Sequence, residues 1–555
     1  MKRSQIFLSP FLAISTLFFS GWDSMYAAEV ADGNVALFSE FNYSVTSPTE
    51  RGRDEYGTPL LPGCYPDPSI VRVGDDYFMV NSSFAFYPGV PIWHSTDMQS
   101  WERLGYVLNR PGQLDLPDGL RISGGIYAPD ISYNPHNGLY YMVTTLVDNG
   151  GNFYVTTADP MKGDWSDPVW LPEVGGIDPS FLFDSDGKAY IVNNDSPDGP
   201  PLYDGHRAIH IHDFDWKSGK VTGEPVIIVN GGVDISEKPV WIEGPHLYHI
   251  GEKYFLMCAE GGTGPDHREV IFESNSPKGP FKPCRINPIL TQKDLNPLRQ
   301  NAVTCAGHAD LVEDVNGNWW AVFLAVRPYG TEGHDIMGRE TFIHPVEWVD
   351  GQPVITAPHE VLVPHAQPES HSELWNAQGL AKDAFFIRNP QSDSFKVDSS
   401  GRLRLKASDV KVTDHKSASA IGRWATENAF TVTATLDEFT PVYGEDIAGI
   451  LLYQDDGCNM VLGKSLDPEG HDCVKLTAIS KGVLTHMASL RLKSTLTPVK
   501  LKVEADGKGH YIFSAAEGDG PYRLIGIPIP ASNISTSTAG NFTGTMVGVY
   551  ATAKK

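Results

Sequence analysis

Apolar residues in this chain fall into short runs closed by tight-turn residues, and apolar spacings of helical period are scarce throughout. One paired arrangement returns five times: a polar or acidic leader, a few apolar residues, a turn, then an aromatic-rich run. The first three pairs are Asp67-Pro-Ser-Ile-Val with Tyr77-Phe78-Met79-Val80, Asp130-Ile-Ser-Tyr with Tyr140-Tyr141-Met142-Val143, and Asp178-Pro-Ser-Phe-Leu with Tyr190-Ile191-Val192. Glu243-Gly-Pro-His-Leu with Tyr254-Phe255-Leu256-Met257 and His308-Ala-Asp-Leu-Val with Trp319-Trp320-Ala321-Val322 complete the set. Between the runs stand Gly74-Asp75, Asn137-Gly138, Asp186-Gly187, Gly251-Glu252 and Asn316-Gly317. Asn-Gly and Asp-Gly accept the positive φ that a two-residue hairpin turn requires.

Successive leaders are 63, 48, 65 and 65 residues apart, room for about four short strands per unit, the size of a propeller blade. Runs such as Ile92-Trp93-His94-Ser95, Phe153-Tyr154-Val155-Thr156, Ile209-His210-Ile211-His212 and Val270-Ile271-Phe272-Glu273 supply outer strands. The pattern predicts an all-β chain whose residues 59–357 form a five-bladed β-propeller. With the first strand of each blade lining the axis, Asp67, Asp130, Asp178, Glu243 and His308 approach one end of a central channel.

Residues 358–369, containing Pro and His, read as a linker, and beyond them the pattern becomes strictly period two. Leu403-Arg404-Leu405-Lys406, Phe430-Thr431-Val432-Thr433, Gly449-Ile450-Leu451-Leu452-Tyr453 and Val499-Lys500-Leu501-Lys502-Val503 predict a β-sandwich over 370–555. Residues 29–58 are polar and weakly patterned, an arm ahead of the first blade. Residues 1–28 read as an export signal: Lys2 and Arg3, an apolar stretch from Ile6 to Phe19, and a cleavage site at Ala27-Ala28, with Tyr26 a poor −3 residue. No later apolar run is long enough for a transmembrane helix, so an exported protein without membrane insertion is expected.

A net charge of −25 over 555 residues repels nucleic acid and anionic membranes and suits a neutral substrate. Six cysteines are too few to hold a chain of this length together. Cys458 and Cys473 flank a hairpin and are a candidate pair, while Cys64, Cys258, Cys284 and Cys305 read as buried thiols. No CxxC spacing signals a metal or redox site.

Splitting an acetal near neutral pH needs an acid to protonate the leaving oxygen and a carboxylate on the opposite face. Carboxylates on different blades, facing one another across a channel, supply the wider separation of an inverting site. A third carboxylate beside the acid raises its pKa by like-charge repulsion and keeps it protonated.

Leu61-Pro62-Gly63-Cys64-Tyr65-Pro66-Asp67-Pro68-Ser69-Ile70, Gly124-Gly125-Ile126-Tyr127-Ala128-Pro129-Asp130, Gly176-Ile177-Asp178-Pro179-Ser180 and Glu243-Gly244-Pro245-His246 resemble the blade motifs of glycoside hydrolase family 43. So do Gly261-Gly262-Thr263, Ala306-Gly307-His308-Ala309-Asp310 and Gly338-Arg339-Glu340-Thr341-Phe342. The C-terminal part is similar to the concanavalin-like sandwich of exo-acting members. The resemblance implies Asp67 as general base, Glu243 as general acid and Asp178 as the group that tunes Glu243. It implies His308 in the channel near a water or a structural calcium, with no cofactor required, and Arg327 in the sugar subsite. Phe86 and Trp93 are the candidate aromatic contacts of the sugar. The plainer readings are turn capping for Asp67 and Asp178, an ion pair for Glu243, a hydrogen-bonded core histidine for His308 and a surface salt bridge for Arg327. Asp130 reads as structural. Cys64 stands where the family often has an aromatic, and Ile126-Tyr127 where it often has Ile-Trp.

The resulting expectation is an inverting exo-glycosidase acting on a small oligosaccharide or polysaccharide end, releasing β-D-xylose or, alternatively, α-L-arabinofuranose. The rivals are a non-catalytic carbohydrate-binding propeller and a retaining fructoside-acting propeller, whose Asn-Asp-Pro-Asn-Gly signature is absent. Nothing in the pattern fixes an oligomeric state.

Overall fold

The computed structural model describes residues 34–45, 59–299, 302–329, 334–356, 362 and 370–554. Five antiparallel sheets follow one another along the chain, each built from consecutive strands except that the first omits the short strand Phe86–Tyr87. Their innermost strands are Ser69–Val73, Gly125–Asn134, Ile177–Phe183, Glu243–Ile250 and Thr304–Glu313. Each of these touches the next, and the first touches the fifth, closing a five-bladed propeller around an axial channel. The chain latches the ring at its start: the Leu60 and Leu61 N–H groups donate to the Thr341 carbonyl at 2.7 and 3.1 Å, and the Tyr65 N–H donates to that of Arg339 at 3.1 Å. Apolar layers fill the spaces between blades, as with Tyr141, Tyr154, Phe181 and Phe214 between the second and third.

The second domain is a sandwich of two antiparallel sheets. Alternation is clean where it was predicted: Phe430, Val432, Ala434 and Leu436 point into the core while their neighbours are at least partly exposed. One strand comes from far away. Residues Val35–Val45 pair with both Leu403–Lys406 and Ala429–Glu438, so most of the described part of the expected arm is an integral strand of the sandwich. Register shifts around Phe38 and Glu40 break the period-two pattern, which is why the segment reads as unpatterned. The expected signal segment lies outside the described residues, as does the linker apart from buried Leu362. Among the described residues, no helix is long and apolar enough to cross a membrane.

Cys458 and Cys473 do not pair; both are buried free thiols. Cys473 lies opposite Ser465 in the ladder, while Cys458 begins that partner strand, near its far end from Cys473. At about 3.3 Å per residue the hairpin holds them far beyond disulfide reach.

Propeller and sandwich are locked together. Phe86–Tyr87 of the propeller forms a two-stranded sheet with Phe386–Ile387 of the sandwich, and Phe86 packs edge-on to Phe385 and Trp424. The fully buried Arg388 donates to the Leu120 carbonyl across the interface and pairs with Asp456 at 2.7 Å. Gly338 and Gly544 face each other so closely that a Cβ on Gly338 would lie 2.8 Å from the Gly544 nitrogen. One apolar core therefore runs from the first blades into the sandwich without interruption.

Candidate active site

Each innermost strand enters the channel through a residue with left-handed backbone: Asp67 (φ 52°), Ala128 (32°), Asp178 (55°), Gly244 (55°) and His308 (53°). In four of the blades the strand pairing slips at this point. Such a conformation costs a non-glycine residue on the order of 1 kcal/mol and persists only where surrounding structure enforces it. The true leader of the second repeat is therefore Ala128, and Asp130 stands two residues deeper, level with Ser69, Ser180, His246 and Asp310.

That deeper ring is a hydrogen-bonded belt between blades. Asp130 accepts from the Phe181 N–H at 3.1 Å and from Ser132, while Asp310 accepts from the Ile70 N–H at 2.8 Å, from Ser69 and from Tyr248. His246 sits 3.7 Å from Asp130 and 3.6 Å from Asp310. These three are the described channel residues whose ligand atoms converge closely enough for a metal. Calcium takes six to eight oxygen ligands, waters included, and both carboxylates here also accept from protein donors. His308 turns instead toward Asp67, its Nδ1 at 3.4 Å from Oδ1.

Above the belt, Asp67, Asp178, Glu243 and His308 come together, all buried. Asp67 accepts from the Ser82 hydroxyl at 2.5 Å and from Arg339 Nη1 at 3.3 Å. Ser82 is fixed in turn by the Ala128 N–H at 2.7 Å. Burial alone would raise the Asp67 pKa, but Arg339, His308 and Ser82 outweigh it and hold the carboxyl below the usual range. Asp178 accepts the Gly244 N–H at 3.1 Å. Burial, and then the charge of Asp67, push its pKa up to about 7. The Glu243 pKa is raised well above the usual carboxylate range, first by burial and then by Asp178 and Asp67. Gly244 must lack a side chain here, since a Cβ would lie 2.7 Å from the His308 ring. The cluster thus holds one carboxylate ionised beside one kept protonated, the two states that acetal cleavage requires at the same pH.

Residues 56–353 match the family model for glycosyl hydrolases family 43, and residues 374–555 match the beta xylosidase C-terminal concanavalin A-like domain. The chain belongs to glycosyl hydrolases family 43. It is 35% identical over 513 residues to a xylosidase/arabinosidase of Butyrivibrio fibrisolvens, covering 89% of this chain and 95% of that protein. A non-reducing end alpha-L-arabinofuranosidase of Bacteroides ovatus is 34% identical, with 89% and 91% covered. Among solved structures, a GH43_12 protein retrieved from a capybara gut metagenome superposes with a TM-score of 0.85 at 38% identity, covering 94% of this chain and all of that one. The chain is a glycosidase.

Three residues expected to contact the sugar are committed to protein partners. The Arg327 guanidinium is committed to Glu340 at 2.7 Å and to Glu427 of the sandwich at 2.9 Å, a buried inter-domain pairing. Phe86 belongs to the domain interface. Trp93 donates to Asn81 at 3.2 Å and packs on Tyr65 and Arg103. The arginine that does reach Asp67 is Arg339, twelve residues after Arg327 and within Gly338-Arg339-Glu340-Thr341-Phe342. Phe542, on the loop before the last sandwich strand, stands under the Arg339 guanidinium. It touches Phe84 and Tyr127 of the propeller, with ring centroids 5.6 and 5.9 Å apart. A lone aromatic in a loop carries no periodic signal that could have flagged it.

Proposed function

We propose that the protein is an exported, inverting exo-glycosidase that releases terminal β-D-xylose from xylo-oligosaccharides or hemicellulose side chains. Asp67 activates water as general base, Glu243 protonates the leaving oxygen, and Asp178 keeps Glu243 protonated. The observation that carries this reading is the opposed tuning of Asp67 and Glu243 within one buried cluster. For exo action the proposed wall beyond a terminal sugar is Phe542, a sandwich residue packed on Arg339, Phe84 and Tyr127. Export rests on the basic and apolar pattern of residues 1–28.

Release of α-L-arabinofuranose is the second reading, favoured by the relatives of 35% and 34% identity, whose names include arabinosidase and arabinofuranosidase. A panel of 4-nitrophenyl glycosides and unlabelled oligosaccharides, with products resolved by chromatography, tests both. Monosaccharide as the sole early product from xylotriose supports the first reading. Release of arabinose alone supports the second, and internal cleavage products would contradict exo action.

A further inference from the structure

Two residues before Glu243 the backbone is strained. Trp241 has a φ of 52°, on the left-handed side that a bulky residue avoids. Its N–H donates to the Gly205 carbonyl at 2.9 Å. A side chain on Gly205 would be strained at its φ of 83° and would crowd the indole, its Cβ 3.2 Å from Cδ1. Strain and close approach together hold a half-buried indole next to the acid.

Against that indole lies Arg207, its Cζ 4.7 Å from the ring centroid. Arg207 is close enough to Glu243 for its charge to favour the ionised carboxyl, opposing Asp178 and Asp67. Among the described residues its guanidinium makes no hydrogen bond and no ion pair, although acidic side chains outnumber basic ones in this chain by 68 to 43. A half-buried guanidinium that is stacked, held in place and uncommitted is a set of donors aimed at something outside the protein.

The surroundings indicate what that is. Glu243 pairs with Ala259, so Glu260 and Gly261 carry the neighbouring strand past the acid. They border, with Val240, a groove of about 470 Å³, within the size range of ligand clefts. A general acid stands on the leaving-group side of the scissile bond, and the groove begins at Val240, next in the chain to Trp241. Asp234, Glu237 and Asp294 line it beside Lys238, Arg268 and Lys293, a polar wall of mixed charge suited to the hydroxyls of a neutral occupant.

We propose that Arg207 and Trp241 recognise the leaving sugar, with Arg207 bonding hydroxyls of a neutral glycosyl unit whose chain continues into the groove. This rests on Glu243 being the acid, and it makes the enzyme selective for oligosaccharides over simple glycosides.

The test compares full-length wild type with Arg207→Ala, Arg207→Lys and Trp241→Ala on xylotriose and on 4-nitrophenyl β-xyloside, with inhibition by free xylose as a third readout. Arg207→Ala is expected to raise KM for xylotriose about tenfold or more, the loss of one good polar contact, while the inhibition constant for xylose changes less than about twofold. The basic limb of its pH profile should move to higher pH, because a cation near Glu243 is lost. Arg207→Lys should restore the limb but not KM, since an ammonium is not a planar fork. Equal losses on both substrates, or an unchanged KM for xylotriose, would overturn the proposal. If Arg207→Ala does not fold, as judged by thermal melting, Arg207→Lys carries the same KM comparison. Wild type that releases no pentose from any substrate would overturn the functional assignment itself, and this inference with it.

Discussion

The guanidinium of Arg339 lies over the ring of Phe542, 5.1 Å from its centroid. The same guanidinium donates to Asp67. One residue of the sandwich therefore orients the cation that keeps the proposed base ionised. Phe542→Ala should fold normally yet lower kcat/KM on short substrates by about tenfold, the order of a partly desolvated cation–π contact. Steady-state kinetics beside a melting curve checks it, and unchanged kinetics would remove Phe542 from the site.

Ending the chain at Pro364 strips away more than one side chain. It bares Phe86, Tyr87 and the apolar surface that continues into the sandwich core, and it orphans the strand Val35–Val45. The truncated propeller should be insoluble or largely inactive. A soluble fragment with full activity on short oligosaccharides would show the sandwich to be dispensable.

The five blades were legible because glycine-containing turns recur between apolar runs, and Asp67, Asp178, Glu243 and His308 do meet, although Gly244 rather than Glu243 takes the fourth left-handed position. The second repeat was misaligned because its true leader, Ala128, carries no polar mark, so the next acid, Asp130, took its place. The strand Val35–Val45 was hidden by its bulge. Arg327 and Arg339 share one neighbourhood, and only packing decides that the first pairs with Glu340 and Glu427 while the second turns to Asp67. Phe542 depends on domain docking, which no local pattern encodes.

Asp67→Ala and Glu243→Ala should respond differently to the leaving group. Loss of the base should abolish turnover of every substrate. Loss of the acid should reduce hydrolysis of xylo-oligosaccharides by about 10²–10⁴-fold but spare nitrophenyl glycosides far more, because nitrophenolate departs without a proton. Equal losses across leaving groups would contradict the two roles.

Asp178→Asn removes a charge that raises Glu243. The Glu243 pKa should then fall, and the basic limb of kcat/KM should move to lower pH by about one unit or more. Stability changes with a definite sign. The folded Asp178 pKa of about 7 lies above the unfolded value of about 3.9. Its contribution is complete below pH 4 or so and is lost as pH rises through about 7. The variant should therefore gain roughly 1–4 kcal/mol on wild type near pH 8 relative to pH 4, read from denaturant curves at the two pH values. A gain that is the same at both would contradict burial of an ionising Asp178.

Proton NMR of the first turnovers tests the central claim most directly. With Asp67 delivering water opposite a leaving group protonated by Glu243, a β-xyloside should yield α-xylose first, with the β anomer growing in only by mutarotation. Initial accumulation of β-xylose would mean retention through a glycosyl-enzyme and would contradict the assignment of Asp67 as a base.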